Sequence, residues 1–123
     1  MLSWDLKSDR PIYFQLIEQI QLKIVSGVYP PGSRLPSVRD MATDAAVNPN
    51  TMQRALSELE NKGLLYSQRT SGRFVTENEE VVMEMRNSIA RSVVLEFIER
   101  MRSLGYDHHQ TIHLLQQLEE EEN

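Results

Sequence analysis

The chain has 123 residues, 40% of them hydrophobic and 25% charged, with no cysteine and a formal net charge of −5. This composition fits one soluble globular domain and excludes a two-domain enzyme, disulfide bonds, thiolate zinc sites and cysteine nucleophiles. The apolar runs are far shorter than the roughly 20 residues that span a bilayer, and the N-terminus lacks a signal-peptide pattern, so we expect a cytoplasmic protein without a membrane partner.

The first half of the chain has the pattern of three helices. One is predicted from Pro11 to about Gly27, where apolar side chains recur every four residues. After a turn rich in proline and glycine, a short helix is predicted over residues 36–46. Asn48 can cap a third helix, with Pro49 at its first position, that ends near residue 62. Two helices separated by three or four residues form a helix-turn-helix.

The second half predicts a hairpin and two further helices. Residues 64–68 and 73–76 have the pattern of short strands, and a hairpin directly after a helix-turn-helix is a wing. A long amphipathic helix is expected over residues 79–104, followed by a final helix that Asp107 can cap. The predicted fold class is therefore mainly α with a small β-hairpin. A winged helix-turn-helix domain occupies residues 1–78, and a two-helix dimerisation tail occupies residues 79–123.

The net charge hides an uneven distribution of charged side chains. Residues 1–78 have a formal net charge of +1, whereas residues 79–123 have a formal net charge of −6. A recognition helix presents its first turn to base edges, where Asn or Gln pairs with adenine and Arg with guanine. The candidate DNA contacts are Arg34, Ser37, Arg39, Asn48, Asn50, Thr51, Gln53 and Arg54. An ordinary solvated helix face is the alternative interpretation.

Two arginines flank the tip of the predicted hairpin. Arg69 is expected to meet phosphate or enter a minor groove, although a charged edge strand that resists aggregation would look the same. Arg73 is included in the predicted DNA-binding set, but its direction depends on the strand register.

The three histidines of the last predicted helix, His108, His109 and His113, are candidate metal ligands. His109 and His113 are four residues apart, with Asp107 nearby, but no Glu occupies the general-base position of a zinc protease. Asp107 is better used as a helix cap, with Gln110 in the capping-box place. We therefore predict no metal and no cofactor. Neither a phosphate loop nor a nucleophile in a known setting is present, so we expect no enzyme activity.

The words PIYFQLIEQIQLKIVSGVYPPGSRLPSVRDMA, VNPNTMQRALSELENKGLL and GRFV resemble the GntR family of bacterial transcription regulators, in its small YtrA-type branch. The resemblance covers residues 10–76. It implies a winged-helix DNA-binding domain, a homodimer and a palindromic or near-palindromic operator. It places Arg39 at phosphate or a guanine, with Ser37 beside it at phosphate. Many relatives have Arg at the positions of Pro49 and Gln53, and the wing departs from the family's Gly-x-Gly-Thr-Phe-Val at residues 70–75.

These observations predict a dimeric repressor whose partners are a double-stranded DNA operator and a second copy of the chain. Two lone amphipathic helices would expose an apolar stripe unless a second copy covers it. The predicted dimerisation residues are Ile89, Val93, Phe97, Met101, Leu115 and Leu118. The rival function is a winged-helix protein-interaction module without DNA binding. A small-molecule effector is left open, and its pocket would be expected between the winged-helix domain and the tail.

Overall fold

The computed structural model describes residues 4–122 and contains, in that range, five helices and one antiparallel hairpin. The elements are α1 (Ile12–Val25), α2 (Val38–Ala45), α3 (Pro49–Asn61), β1 (Leu65–Gln68), β2 (Gly72–Val75), α4 (Glu79–Ser103) and α5 (His108–Glu122). The predicted fold class and element order are confirmed, with boundaries that differ by at most two residues. Residues 1–3 and 123, which the predicted domains include, lie outside the described residues.

Side-chain caps fix where three of the helices begin. The Ser37 hydroxyl accepts a hydrogen bond from the Asp40 amide at 3.0 Å, and the Asn48 side chain accepts one from the Asn50 amide at 2.8 Å. Asp107 and Gln110 each accept a hydrogen bond from the other's backbone amide, at 2.8 and 2.9 Å. This is the reciprocal capping box expected before α5, so Asp107 is a helix cap.

The turn between α2 and α3 is set by a left-handed residue. Ala46 has φ 57° and ψ 47°, a conformation that costs an L-residue with a β-carbon about 1–2 kcal/mol. The turn is held from within, because the Val47 amide donates to the Ala42 carbonyl at 2.9 Å. Asn48 then caps the next helix at once, which fixes the short separation of the two helices.

A single apolar core joins the first three helices to the hairpin. Its most deeply buried side chains are Leu16, Ile20, Met52, Leu56, Leu59, Leu64 and Val75. The chain before α2 also lies along the outer edge of β2. The Leu35 amide donates to the Arg73 carbonyl and the Gly32 amide to the Val75 carbonyl, both at 2.9 Å. The wing is therefore tied to the loop that leads into the helix-turn-helix.

The segment before α1 packs onto the same unit, which the sequence patterns did not predict. The Trp4 indole donates to Asp44 at 2.9 Å, and the Lys23 ammonium lies 3.6 Å from the centroid of the Trp4 ring. Burial lowers the pKa of Lys23, while the Asp44 charge opposes that shift. The Gln15 side chain hydrogen-bonds to the backbone of Lys7 in both directions, which holds the extended segment against α1.

The contacts divide the chain into two compact units, and the division falls inside α4, after Arg86. The first unit includes the start of α4, because Val82 is only 6% exposed and joins the core, with Val81 and Met85 packed against it. The predicted boundary at residues 78 and 79 marks where the helix begins. The packing boundary lies later because the first two turns of α4 still belong to the core.

The second unit consists of the rest of α4 and α5, joined at Gly105. The Thr111 side chain is buried there and donates to the Asp107 carbonyl at 2.8 Å. The large apolar side chains that stay exposed on this unit are Val93, Val94, Leu95, Phe97, Leu104, Tyr106, Ile112, Leu115 and Leu118. Among the described helices, none has the length and apolar character needed to cross a membrane.

The packing of α4 predicts different stabilities for two truncated chains. A chain that ends at Asn78 should have a free energy of unfolding about 2 kcal/mol lower than that of a chain that ends at Arg86. The shorter chain lacks Val82, and complete burial of a valine contributes about 1.5–3 kcal/mol. Urea unfolding followed by circular dichroism measures the difference. Equal stabilities would show that the start of α4 contributes nothing to the core.

Candidate nucleic-acid interface

The two faces of α3 differ sharply in burial. Met52, Leu56 and Leu59 are buried in the core together with Ala55. Asn50, Gln53 and Arg54 are exposed and lie at the i, i+3 and i+4 positions of the opposite face. The polar residues predicted to contact DNA are thus directed away from the core by the same helical period that buries the apolar ones.

The N-terminal ends of α2 and α3 add polar groups to this surface. Ser37 and Arg39 are exposed at the start of α2, and Asn48 is exposed at the start of α3. The caps use only the oxygen atoms of Ser37 and Asn48 as acceptors, which leaves the hydroxyl proton and the amide NH₂ group as donors. Helix N-terminal ends also carry partial positive charge, which favours phosphate.

Arg34 lies against the wing. It forms an isolated antiparallel bridge with Phe74, and its guanidinium covers Gly72. A β-carbon added at Gly72 would lie 3.1 Å from the Arg34 Nε atom, and Gly72 has φ 102°. A side chain at position 72 would therefore be both strained and crowded, so this glycine allows Arg34 to approach the hairpin.

Arg54 is held over an aromatic ring of α1. Its guanidinium carbon lies 4.6 Å from the centroid of the Tyr13 ring, within the range of a cation–π contact. The side chain stays exposed. The ring therefore restricts the directions that Arg54 can take while leaving its N–H donors accessible.

Arg73 differs from the other predicted contacts, because its side chain turns toward α3. The Arg73 Nε atom lies 2.5 Å from the Glu60 Oε1 atom, and the two side chains are 16% and 27% exposed. The same Glu60 oxygen accepts a hydrogen bond from the Ser67 hydroxyl. Among the predicted DNA contacts, all of which lie within residues 4–122, Arg73 is the one that is paired with a carboxylate. The Arg69 side chain, in contrast, is exposed at the hairpin turn.

The charged state of Glu60 is favoured by these partners. Burial acts to raise the pKa of Glu60, but hydrogen bonds from Ser67 and Arg73 and the Arg73 charge outweigh it, so the pKa lies below its usual 4.5. Glu60 is consequently ionised at neutral pH, and the pair links β2 to α3 as a charged interaction.

The strand register explains the direction of Arg73, and it also shows which signal sequence reasoning missed. Arg73 pairs with Ser67 across the hairpin, and Val75 pairs with Leu65. Side chains two residues apart in a strand share a face, and Val75 and Leu65 are buried. Arg73 therefore lies on the face that packs against the helices. The apolar Val75, two positions after Arg73, was the signal in the sequence that could have predicted this direction.

All ten predicted DNA contacts lie in the first unit. The structure places nine of them as exposed or half-exposed side chains of α2, α3, the loop before α2 and the wing, and it pairs the tenth, Arg73, with Glu60. Tyr13, Glu60 and Ser67, which touch members of this set, were not predicted. Their contacts depend on packing between elements far apart in sequence.

Comparison with known proteins gives a consistent result. The family model for bacterial regulatory proteins of the gntR family matches residues 12–75. The chain is 39% identical over 83 residues to the HTH-type transcriptional repressor YtrA of Bacillus subtilis (strain 168), a match that covers 68% of this chain and 64% of that repressor. The matching family and this relative are both described as transcription regulators, which are not enzymes.

Solved structures share the fold. A GntR family transcriptional regulator from Listeria monocytogenes superposes with a TM-score of 0.84 at 36% identity, and the match covers 91% of this chain and 98% of that one. The crystal structure of AraR(DBD) in complex with operator ORX1 matches with a TM-score of 0.53 at 28% identity, over 62% of this chain and 93% of that one.

The ion pair between Arg73 and Glu60 predicts a pH-dependent loss of stability on substitution. Because the pKa of Glu60 is lowered on folding, the ionised carboxylate stabilises the fold above pH 4.5, and this contribution disappears as the pH falls through the lowered pKa. Glu60→Gln should therefore lower the free energy of unfolding by about 1 kcal/mol at pH 7. The deficit should shrink toward zero in increasingly acidic buffer.

Urea unfolding of Glu60→Gln and the parent, at pH 7 and at two or three acidic values, supplies the measurement. Glu58→Gln, on the same helix, is the control. A deficit that stays constant across this pH range would contradict the role given to the ionised carboxylate.

Proposed function

The chain belongs to the gntR family of bacterial regulatory proteins, in its YtrA-type branch, and we propose that it is a sequence-specific repressor of transcription that binds a palindromic DNA operator as a homodimer. The observation that carries this proposal is the exposed polar face of α3, which is accompanied in the same unit by the exposed side chains of Arg34, Arg39 and Arg69. A DNA target would also keep the protein in the cytoplasm.

The proposed contacts fall into two groups. Ser37, Arg39, Arg34 and Arg69 are assigned to the sugar-phosphate backbone, because they lie at a helix N-terminus, in the loop before α2 or at the wing tip. The side chains assigned to base edges in the major groove are Asn48, Asn50, Thr51, Gln53 and Arg54. The solved complex of AraR(DBD) with operator ORX1 supports DNA binding by this unit, because the chain is similar to it in fold.

A second copy of the chain is the proposed cover for the apolar residues of the second unit. Val93, Phe97, Leu115 and Leu118 are exposed in the single chain, and Ile89 and Met101 are half-buried. Large apolar side chains exposed together on one small unit support an interaction site there. A twofold dimer would present two equivalent recognition helices to the two halves of a palindrome. Residues 79–123 are accordingly proposed as the dimerisation tail, with the first two turns of α4 retained by the winged-helix unit.

The proposal that the protein represses transcription rests on the named relative and on the physical blocking of the operator by a bound protein. The YtrA relative is a transcriptional repressor, and a dimer bound across an operator can repress transcription by covering that site. The rival function, a winged helix that binds only proteins, makes a different physical prediction. Only contacts with phosphate release counterions, so only a DNA-binding protein shows affinity for duplex DNA that falls linearly with the logarithm of salt concentration.

Arg39 tests the DNA-binding surface directly. Arg39→Ala should weaken binding to all duplex sequences alike and should lower the magnitude of the salt slope by about one, because one phosphate contact is lost. Fluorescence anisotropy at several salt concentrations gives the slope. Arg91→Ala, an exposed arginine of α4, is the matched control and should leave the slope unchanged. A loss confined to one base pair would assign Arg39 to base readout instead.

Phe97 tests the proposed dimer. It is 38% exposed in the single chain, and its substitution by Asp would place an unpaired carboxylate in the interface. Burial of such a charge costs several kcal/mol per copy, so Phe97→Asp should give a folded monomer with reduced affinity for operator DNA. Sedimentation velocity beside Glu96→Ala decides it. A dimer of Phe97→Asp with parental operator affinity would show that this helix face lies outside the interface.

A further inference from the structure

We propose that Arg73 is a positioning residue that orients the Gln53 amide for reading adenine and does not itself contact DNA. This inference rests on the proposed DNA-binding function and names which residue of the wing sets the specificity of the recognition helix. It is carried by the contacts among Arg73, Glu60, Gln53 and Ser57 on the surface shared by β2 and α3.

The Arg73 guanidinium is fixed from one side. Its Nε atom donates to Glu60 Oε1 at 2.5 Å, and the side chain is only 16% exposed. Glu60 is itself held, because the same oxygen accepts from the Ser67 hydroxyl. The guanidinium is planar, so fixing Nε also fixes the direction of the other N–H donors.

The other end of the guanidinium faces Gln53. The Arg73 Nη1 atom lies 3.5 Å from Gln53 Oε1, at the long end of the hydrogen-bond range. Arginine has donors and no acceptor, so the amide atom that faces it must be the oxygen. The reverse orientation of the amide would place two donors against each other. Arg73 therefore selects one of the two amide orientations of Gln53.

The selected orientation leaves a defined hydrogen-bonding capacity on Gln53. The amide nitrogen has two hydrogens, and Ser57 Oγ lies 3.4 Å away as the acceptor for one of them. The amide oxygen has two lone pairs, and Arg73 uses one. One donor and one acceptor remain on an exposed side chain. The major-groove edge of adenine presents the complementary pair, the N7 acceptor and the N6 donor.

The charge balance of the cluster argues against a phosphate contact by Arg73. Its positive charge is already matched by Glu60 at 2.5 Å, so the pair is neutral as a unit. A phosphate would have to compete with that carboxylate for the same guanidinium. Replacing Arg73 and Glu60 together by neutral side chains should therefore leave the salt slope of DNA binding unchanged, whereas removal of an exposed arginine such as Arg69 should lower its magnitude.

The experiment uses the full chain and a library of duplexes randomised over the operator. The base preferences of the parent, Arg73→Met, Glu60→Gln and their double variant are compared with those of Gln53→Ala, which defines the position that Gln53 reads. Arg69→Ala is the control at the wing tip. Binding is measured well below each variant's thermal transition, recorded by circular dichroism. The salt slope is determined for the parent, the double variant and Arg69→Ala.

The expected result has three parts. The parent prefers adenine at the position that Gln53→Ala relaxes, and Arg73→Met and Glu60→Gln each reduce that preference by about five-fold or more. The double variant is no worse than the singles, because both changes remove the same restraint. The salt slope of the double variant equals that of the parent, whereas Arg69→Ala lowers its magnitude by about one and keeps the adenine preference.

Three results would overturn the inference. A salt slope lowered by about one in the double variant, with the adenine preference intact, would make Arg73 a phosphate contact. Unchanged preference and unchanged slope, with only the melting temperature lowered, would make the ion pair purely structural. A Gln53→Ala variant that relaxes no position would remove the residue that Arg73 is said to orient. The proposed function is tested separately, on the parent protein alone. If the parent shows no salt-dependent binding to duplex DNA, the proposed function is wrong, and this result is known before any variant is compared.

Discussion

The burial of one side of α3 is the constraint on which the rest of the first unit depends. Met52, Leu56 and Leu59 fill the core, and the helical period then directs Asn50, Gln53 and Arg54 outward. A rotation of this helix would bury amides and a guanidinium without partners, at a cost of several kcal/mol. Because core packing resists such a rotation, the direction of the polar side chains is as well determined as the core itself.

The wing is positioned by three separate connections to this helix-turn-helix. Backbone hydrogen bonds join β2 to the loop before α2, Arg34 covers Gly72, and Glu60 binds Arg73 from α3. The wing departs from the family's usual sequence at Arg73, and this residue provides the link to α3. A change in wing sequence here alters the environment of the recognition helix, so wing and helix act as one surface.

The sequence predicted those features that depend on neighbours along the chain. The order of helices, the caps at Ser37, Asn48 and Asp107 and the apolar face of α3 all follow from spacings of three or four residues. It did not predict contacts between distant segments. Glu60 meets Arg73 across thirteen positions and Trp4 meets Asp44 across forty, and neither pair leaves a periodic signal. The division of the contacts within α4 after Arg86 likewise depends on which distant residues pack together.

The packing of Trp4 gives the protein a built-in spectroscopic reporter. The chain has one tryptophan, and its indole is hydrogen-bonded to α2 and stacked beneath the Lys23 ammonium of α1. Its emission therefore depends on whether the N-terminal segment is docked on these two helices. A nearby ammonium and a carboxylate both perturb an indole, so undocking would change the emission even if the helices stayed folded. Tryptophan fluorescence of this protein therefore reports on the contact of the N-terminal segment with α1 and α2. A second technique is needed to follow the second unit.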